Sequence, residues 1–217
     1  MKKLNVKTEA SVIADMPAAS FAGKIIVVDS VDAAERAVER LLKERVLGVD
    51  TETRPAFRKG VVHKVALLQV ATHEECYLFR LNKIGITPAV LRLITSNDIT
   101  LVGLSLTDDL MRLHHDADFE AGHFVDLQKE IARFGIEDRG LRKMYANFFG
   151  EKISKREQLS NWEAPVLTER QKQYAALDAW ACLRLYEEFQ RLWASGDYEV
   201  MASAECGSTE GHGNCEP

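Results

Sequence analysis

Val46-Leu47-Gly48-Val49-Asp50-Thr51-Glu52 is the stretch on which both the fold and the chemistry turn. Its first four residues are an apolar, strand-like run, and its last three turn polar as the strand leaves a core. In an extended chain, side chains two apart point to the same face, so Asp50 and Glu52 sit side by side. Two adjacent carboxylates repel unless a positive group lies between them. A hard divalent ion such as Mg²⁺ or Mn²⁺, which prefers oxygen ligands, would serve. A strand end that merely becomes polar on leaving the core accounts for the same two residues, and on this stretch alone both readings stand.

Working outward, Lys24-Ile25-Ile26-Val27-Val28 reads as a preceding strand. Asp32 to Arg45 reads as a helix, with Ala34, Val38, Leu41 and Leu42 on one stripe and Asp32 and Glu35 as its capping pair. After the deciding strand come KVALLQVAT (64–72) and Cys76–Leu81 as strands joined by a turn at His73-Glu74-Glu75. A helix over 88–95, a strand over 99–104, a helix over 108–115 and a short strand at 124–126 follow. The remainder reads as helices over about 127–134, 139–149 and 168–193. Strands come first and helices then dominate, which predicts an α/β domain with a mixed sheet.

The chain has 217 residues, 46% hydrophobic and 28% charged, enough for one well-buried domain and too apolar for a disordered chain. Residues 1–22 lack periodicity and read as a loose arm. Residues 23–194 read as the domain, and the acidic, Gly-rich stretch 195–217 as a disordered tail. No apolar run reaches membrane-spanning or signal-peptide length, so a cytoplasmic location away from membranes is the expectation. Cys76 and Cys182 lie in apolar segments and read as buried thiols. Cys206 and Cys215 near His212 read as incidental.

Two further elements carry acids. VGLSLTDD (102–109) runs from a strand through a turn into a helix, where a cap explains one aspartate more easily than two. YAALD (174–178) places Tyr174 and Asp178 one turn apart on a largely apolar helix, where an acid needs a partner. His114-His115-Asp116 reads as the end of a surface helix, and Trp162 as an anchor before the last helix.

Asp50-Thr51-Glu52, Asp109 in VGLSLTDD, and Tyr174 with Asp178 in YAALD resemble the three motifs of the DEDD 3′–5′ exonucleases of the tyrosine subclass. The likeness is strongest to the branch typified by the exonuclease domain of the Werner syndrome protein and its stand-alone relatives. It extends over about residues 24–193 through Lys64–Gln69, Cys76–Phe79, Gly140-Leu141, Ser160-Asn161-Trp162, Leu167-Thr168 and Gln171-Lys172. Thr53 is a departure: Werner-like sequences carry tryptophan there, and DTET is a form more like polymerase proofreading exonucleases. The departure leaves the four acids intact and bears on substrate preference. Register with the family makes Asp109 the ligand and leaves Asp108 as the cap.

The resemblance implies a ribonuclease H-like fold with a central sheet of five to six strands. It also implies a two-metal hydrolysis that releases nucleoside 5′-monophosphates from the 3′ end of DNA or RNA. Two Mg²⁺ or Mn²⁺ ions would lie about 3.5–4 Å apart. By analogy Asp50, Glu52 and Asp178 hold the first, Asp50 bridges to the second, and Asp109 holds the second through water. Tyr174 orients the attacking water. The alternatives are a catalytically silent nucleic-acid-binding module of the same fold and an exoribonuclease confined to short oligonucleotides or RNA processing. A helicase, polymerase or other targeting partner is the expected company of so small a nuclease.

The formal net charge of −5 speaks against coating nucleic acid through bulk positive charge. All five net negative charges, however, are carried by Asp197, Glu199, Glu205, Glu210 and Glu216 beyond residue 195, so residues 1–194 are neutral overall. Candidate backbone-binding residues are Thr51, Arg58, Lys59, Lys64 and Arg156, drawn largely from the basic stretches 54–64 and 133–156.

Overall fold

A computed structural model describes residues 1–56, 58 and 60–201. The described residues form eight strands and eight helices. In order they are β1 (Lys2–Asn5), α1 (Ala10–Ala14), β2 (Lys24–Val28), α2 (Val31–Leu41) and β3 (Val46–Thr53). Then come β4 (Val65–Ala71), β5 (Glu75–Phe79), α3 (Leu81–Ile84), α4 (Pro88–Ile94) and β6 (Thr100–Gly103). The chain continues through α5 (Leu106–His114), β7 (Phe124–Asp126), α6 (Leu127–Ala132), α7 (Leu141–Phe149), α8 (Glu169–Ser195) and β8 (Tyr198–Met201). Six strands form the mixed sheet that the sequence predicts, and their order is β2-β5-β4-β3-β6-β7. β3–β4 and β4–β5 are antiparallel and the other pairs are parallel.

The sheet is covered on both faces, so the apolar run of β4 is buried along its whole length. One face packs on α8 and contributes Leu67 and Ala71 to a core with Val102, Ala175, Ala179 and Leu185. The other face packs on α2, α4 and α5 and contributes Leu47, Val49, Leu68 and Val70. Alternation along β3 therefore turns Leu47 and Val49 away from α8 and Gly48, Asp50 and Glu52 toward it. Gly48 lets helix and strand touch: a Cβ there would lie 2.0 Å from the Ala179 carbonyl oxygen. α8 is launched by a capping box, with the Thr168 side chain on the Gln171 amide and the Gln171 side chain on the Thr168 amide.

Residues 1–22 are not a loose arm. β1 pairs in parallel with β8, Leu4 is fully buried, and Asn5 and Asn147 exchange two hydrogen bonds. A four-residue strand with a single buried apolar residue has no period to detect. For the same reason β8, beyond the expected domain end at 194, is not legible in the sequence. The rest of the acidic stretch, with Cys206, His212 and Cys215, lies outside the described residues. The cap of α2 is Ser30, whose side chain accepts from the Ala33 amide, rather than the Asp32–Glu35 pair. Among the described residues no helix is long and apolar enough to cross a membrane.

Candidate active site

β3 delivers two of the predicted acids and α8 delivers the third. One carboxylate oxygen from each of Asp50, Glu52 and Asp178 lies within 4.8 Å of the others. Glu52 and Asp178 are buried and Asp50 is half-buried. Burial is the largest reason why all three hold protons more tightly than free carboxyls. The neighbouring carboxylates add to this for Asp50 and Glu52, and Glu52 is pushed up to about 10. Asp178 rises only to about 7, because the Tyr174 hydroxyl and the Arg142 guanidinium offset part of its burial. Its Oδ1 is buried with no hydrogen-bond partner. Crowded, desolvated, all-oxygen donors with an orphaned buried lone pair fit a hard divalent cation.

Asp109 stands outside that triad. It lies in the first turn of α5, half-buried, and accepts a 2.7 Å hydrogen bond from Thr51 Oγ1. Burial raises its affinity for a proton, against the Thr51 bond and the charge of Arg112. Thr51, expected at the nucleic-acid backbone, is thus engaged with a candidate ligand. Asp108 is exposed and is not the cap of α5. The Asp126 carboxylate does that work, accepting from the Ser105 and Leu106 amides at 3.2 and 3.1 Å, and it also caps α6 by accepting from the Gln128 amide at 2.9 Å. Ser105 itself sits in the left-handed region at φ 57°. Asp126 is a positioning residue that the sequence reading missed, although a strand-end aspartate directly before a helix is a recognisable capping signal.

Tyr174 lies on α8 one turn before Asp178. Burial and the charges of Asp178 and Glu52 push its phenol above the ordinary tyrosine range, so the hydroxyl stays neutral. The Trp162 ring packs at 6.1 Å, centroid to centroid, from that of Tyr174. Trp162 is fully buried, which suits an anchor and leaves no face for a base.

The acids line a cavity of about 570 Å³ together with Tyr174, Arg142, Lys143 and Lys155. A second cavity of about 740 Å³ shares Tyr174, Arg142, Ile153 and Lys155 with it and adds Lys152, Arg156 and Arg170. Of the predicted backbone-binding residues, Arg156 lies there. Lys64 is instead paired with Asp116 and lines a different cavity, Arg58 is exposed, and Lys59 lies outside the described residues. His114 ends α5 stacked on Phe119 at 4.1 Å, and Cys76 and Cys182 are buried free thiols.

Residues 25–193 match the model of a family described as 3′–5′ exonuclease. The chain belongs to that family. A mouse relative, the bifunctional 3′–5′ exonuclease/ATP-dependent helicase WRN, is 29% identical over 209 residues, covering 91% of this chain but 15% of the relative. A 3′–5′ exonuclease of Arabidopsis thaliana is 29% identical over 195 residues, covering 82% of this chain and 67% of the relative. The crystal structure of the Aedes aegypti Nibbler EXO domain superposes with a TM-score of 0.71 at 20% identity, covering 84% of this chain and 95% of that one. This last likeness speaks to the fold, which is that of the ribonuclease H-like exonucleases.

Proposed function

We propose that this chain is a two-metal 3′–5′ exonuclease that hydrolyses the terminal phosphodiester of DNA or RNA and releases nucleoside 5′-monophosphates. The observation that carries the reading is the set of three crowded acids, Asp50, Glu52 and Asp178, with Asp178 Oδ1 orphaned. Mg²⁺ or Mn²⁺ would be held by these acids and by Asp109. When bound, such ions supply Lewis acidity at the attacking water and at the leaving 3′-oxygen.

The chain's own groups do the rest. The charges of both Asp178 and Asp109 bear on Asp50, which supports it as the acid that would serve both ions. The neutral Tyr174 hydroxyl can hold and orient a water but is too weakly acidic to serve as a ready phenolate base. Arg142, which stabilises the charge of Asp178 from the cavity wall, supplies the positive charge that a phosphate entering beside four carboxylates requires. A helicase or polymerase acting on the same 3′ end is the partner class in keeping with the helicase named in the mouse relative.

The test is shortening of 5′-labelled DNA and RNA strands with Mg²⁺, Mn²⁺ or EDTA. Stepwise loss from the 3′ end with release of 5′-monophosphates in the metal arms, and none in EDTA, is the expected result. Tight binding of both strands without shortening under any metal would overturn it in favour of a silent binding module.

A further inference from the structure

Gln69 is the one polar residue in the apolar run of β4. It has no exposed surface, and among the described residues neither its Nε2 nor its Oε1 has a hydrogen-bond partner. A side-chain amide carries two donors and an acceptor, and each one buried without a partner weakens the fold. A methionine or a leucine would fill the same strand position without that penalty. Packing alone therefore gives no reason for an amide here.

The place of Gln69 in the sheet does give one. Gln69 is the direct cross-strand partner of Asp50. Directly opposed residues of antiparallel strands point to the same face, with Cβ atoms about 4.5–5.5 Å apart. That face is the one packed on α8, because Leu67 and Ala71, two residues to either side of Gln69, belong to the core against that helix. On its other flank Gln69 is paired with Leu78 of β5, which belongs to the same core. Of its two cross-strand neighbours, one is apolar and the other is a candidate metal ligand.

The chemistry suits that second neighbour. A carboxylate that gives one lone pair to a cation keeps others free, and a hydrogen bond to those fixes the way it faces. Thr51 does this for Asp109. A lysine or arginine at position 69 would bring a positive charge that competes with the cation. An acid there would add to the repulsion among Asp50, Glu52 and Asp178. A neutral amide supplies a donor and changes no charge.

We propose that Gln69 is a positioning residue for metal binding, its side-chain amide donating to the Asp50 carboxylate when Asp50 holds the cation. The proposal rests on the two-metal reading and deepens it by naming a residue outside the four acids on which the ions depend. In the metal-free protein the amide weakens the core, and in the metal-bound protein it steadies a ligand. A residue that serves packing alone has no such dependence on the ion.

The experiment measures Mn²⁺ binding from the electron paramagnetic resonance signal of the free ion, together with thermal melting in the presence and absence of Mn²⁺. The proteins are the wild-type chain, Gln69→Met, Gln69→Leu, and Leu78→Met as a control that alters packing at the neighbouring core position. Without metal, Gln69→Met should melt no lower than the wild type. Its Mn²⁺ dissociation constant should rise by about tenfold or more, while that of Leu78→Met stays within about twofold of the wild type. The rise in melting temperature at a fixed Mn²⁺ concentration should shrink in Gln69→Met to match. Gln69→Leu should behave in the same way, and it carries the test if Gln69→Met does not fold. Unchanged Mn²⁺ affinity in the folded Gln69 variants, equal weakening in Leu78→Met, or failure of both Gln69 variants to fold overturns the proposal in favour of a packing role. A wild type that binds no Mn²⁺ overturns the two-metal reading itself.

Discussion

The Thr51 hydroxyl donates a 2.7 Å hydrogen bond to the Asp109 carboxylate, joining the strand of the first acidic motif to the helix of the second. Thr51 and Asp50 are neighbours on β3 whose side chains alternate, so one residue of the strand offers a ligand while the next steadies another. A hydrogen bond to a charged group contributes about 1.5–3 kcal/mol, enough to fix which way a carboxylate faces. Thr51→Val, which keeps the shape and removes the donor, is expected to lower kcat by about tenfold, and Thr51→Ser to restore most of it. Equal activity of the valine and threonine proteins would show that Asp109 is placed without this bond.

Asp178→Asn separates chemistry from folding. The substitution removes a charge from a crowded, buried set, so the metal-free protein should melt at a higher temperature than the wild type. Activity should fall at least about a hundredfold, because charge stabilisation at the reacting phosphate is lost. A lower melting temperature together with lost activity would mean that the residue serves the fold.

The same crowding dictates a pH dependence. Asp178, at about 7, and Glu52, at about 10, bind protons more tightly in the folded than in the unfolded chain, where carboxyls titrate near 4. Below about pH 4 both states are protonated and the folded state keeps its full stability. As pH rises through the window up to about 7 for Asp178 and about 10 for Glu52, the folded state must carry charges that burial opposes, and stability falls. Metal-free melting temperatures should therefore drop between about pH 5 and pH 9, and the rise produced by added Mn²⁺ should grow across the same range. A metal-induced rise that is flat with pH would show that the ion does not displace protons from these acids.

Gly48 gives a test of how the acids are brought together. A Cβ at this position meets the Ala179 carbonyl oxygen at 2.0 Å, backbone that cannot give way as a side chain can. Gly48→Ala should push α8 off β3 and cost about 1–3 kcal/mol, visible as a lower denaturation midpoint in urea. Because Asp50 lies on the strand and Asp178 on the helix, metal affinity should weaken alongside stability.

Much of this architecture is legible in the residues themselves. Continuous apolar runs locate β3 and β4, and apolar stripes or stretches locate α2 and α8, because each element is buried over much of its length. Asp50, Glu52, Tyr174 and Asp178 stand out because charge and hydroxyl interrupt apolar elements. What the sequence hides is short or non-local. Leu4 is one buried residue in a four-residue strand, and its partner Val200 is at the other end of the chain. The cap of α5 comes from Asp126, a residue on the next strand over, so an aspartate adjacent in sequence, Asp108, is mistaken for it. The basic stretch 54–64 looks free in sequence, but Arg54 and Lys64 find Glu163 and Asp116 only in the fold.

The pairing of β1 with β8 has a consequence for the order in which the molecule matures. The pair spans nearly the whole described chain, Lys2 beside Tyr198, so closing it carries the largest loop-entropy cost in the fold. Asp50, Glu52 and Asp178 come from β3 and α8, and neither β1 nor β8 belongs to the six-stranded sheet, although Lys2 of β1 pairs with Glu188 of α8. The cluster of acids lies within a continuous stretch of chain, so it can be brought together before the two ends of the described chain meet.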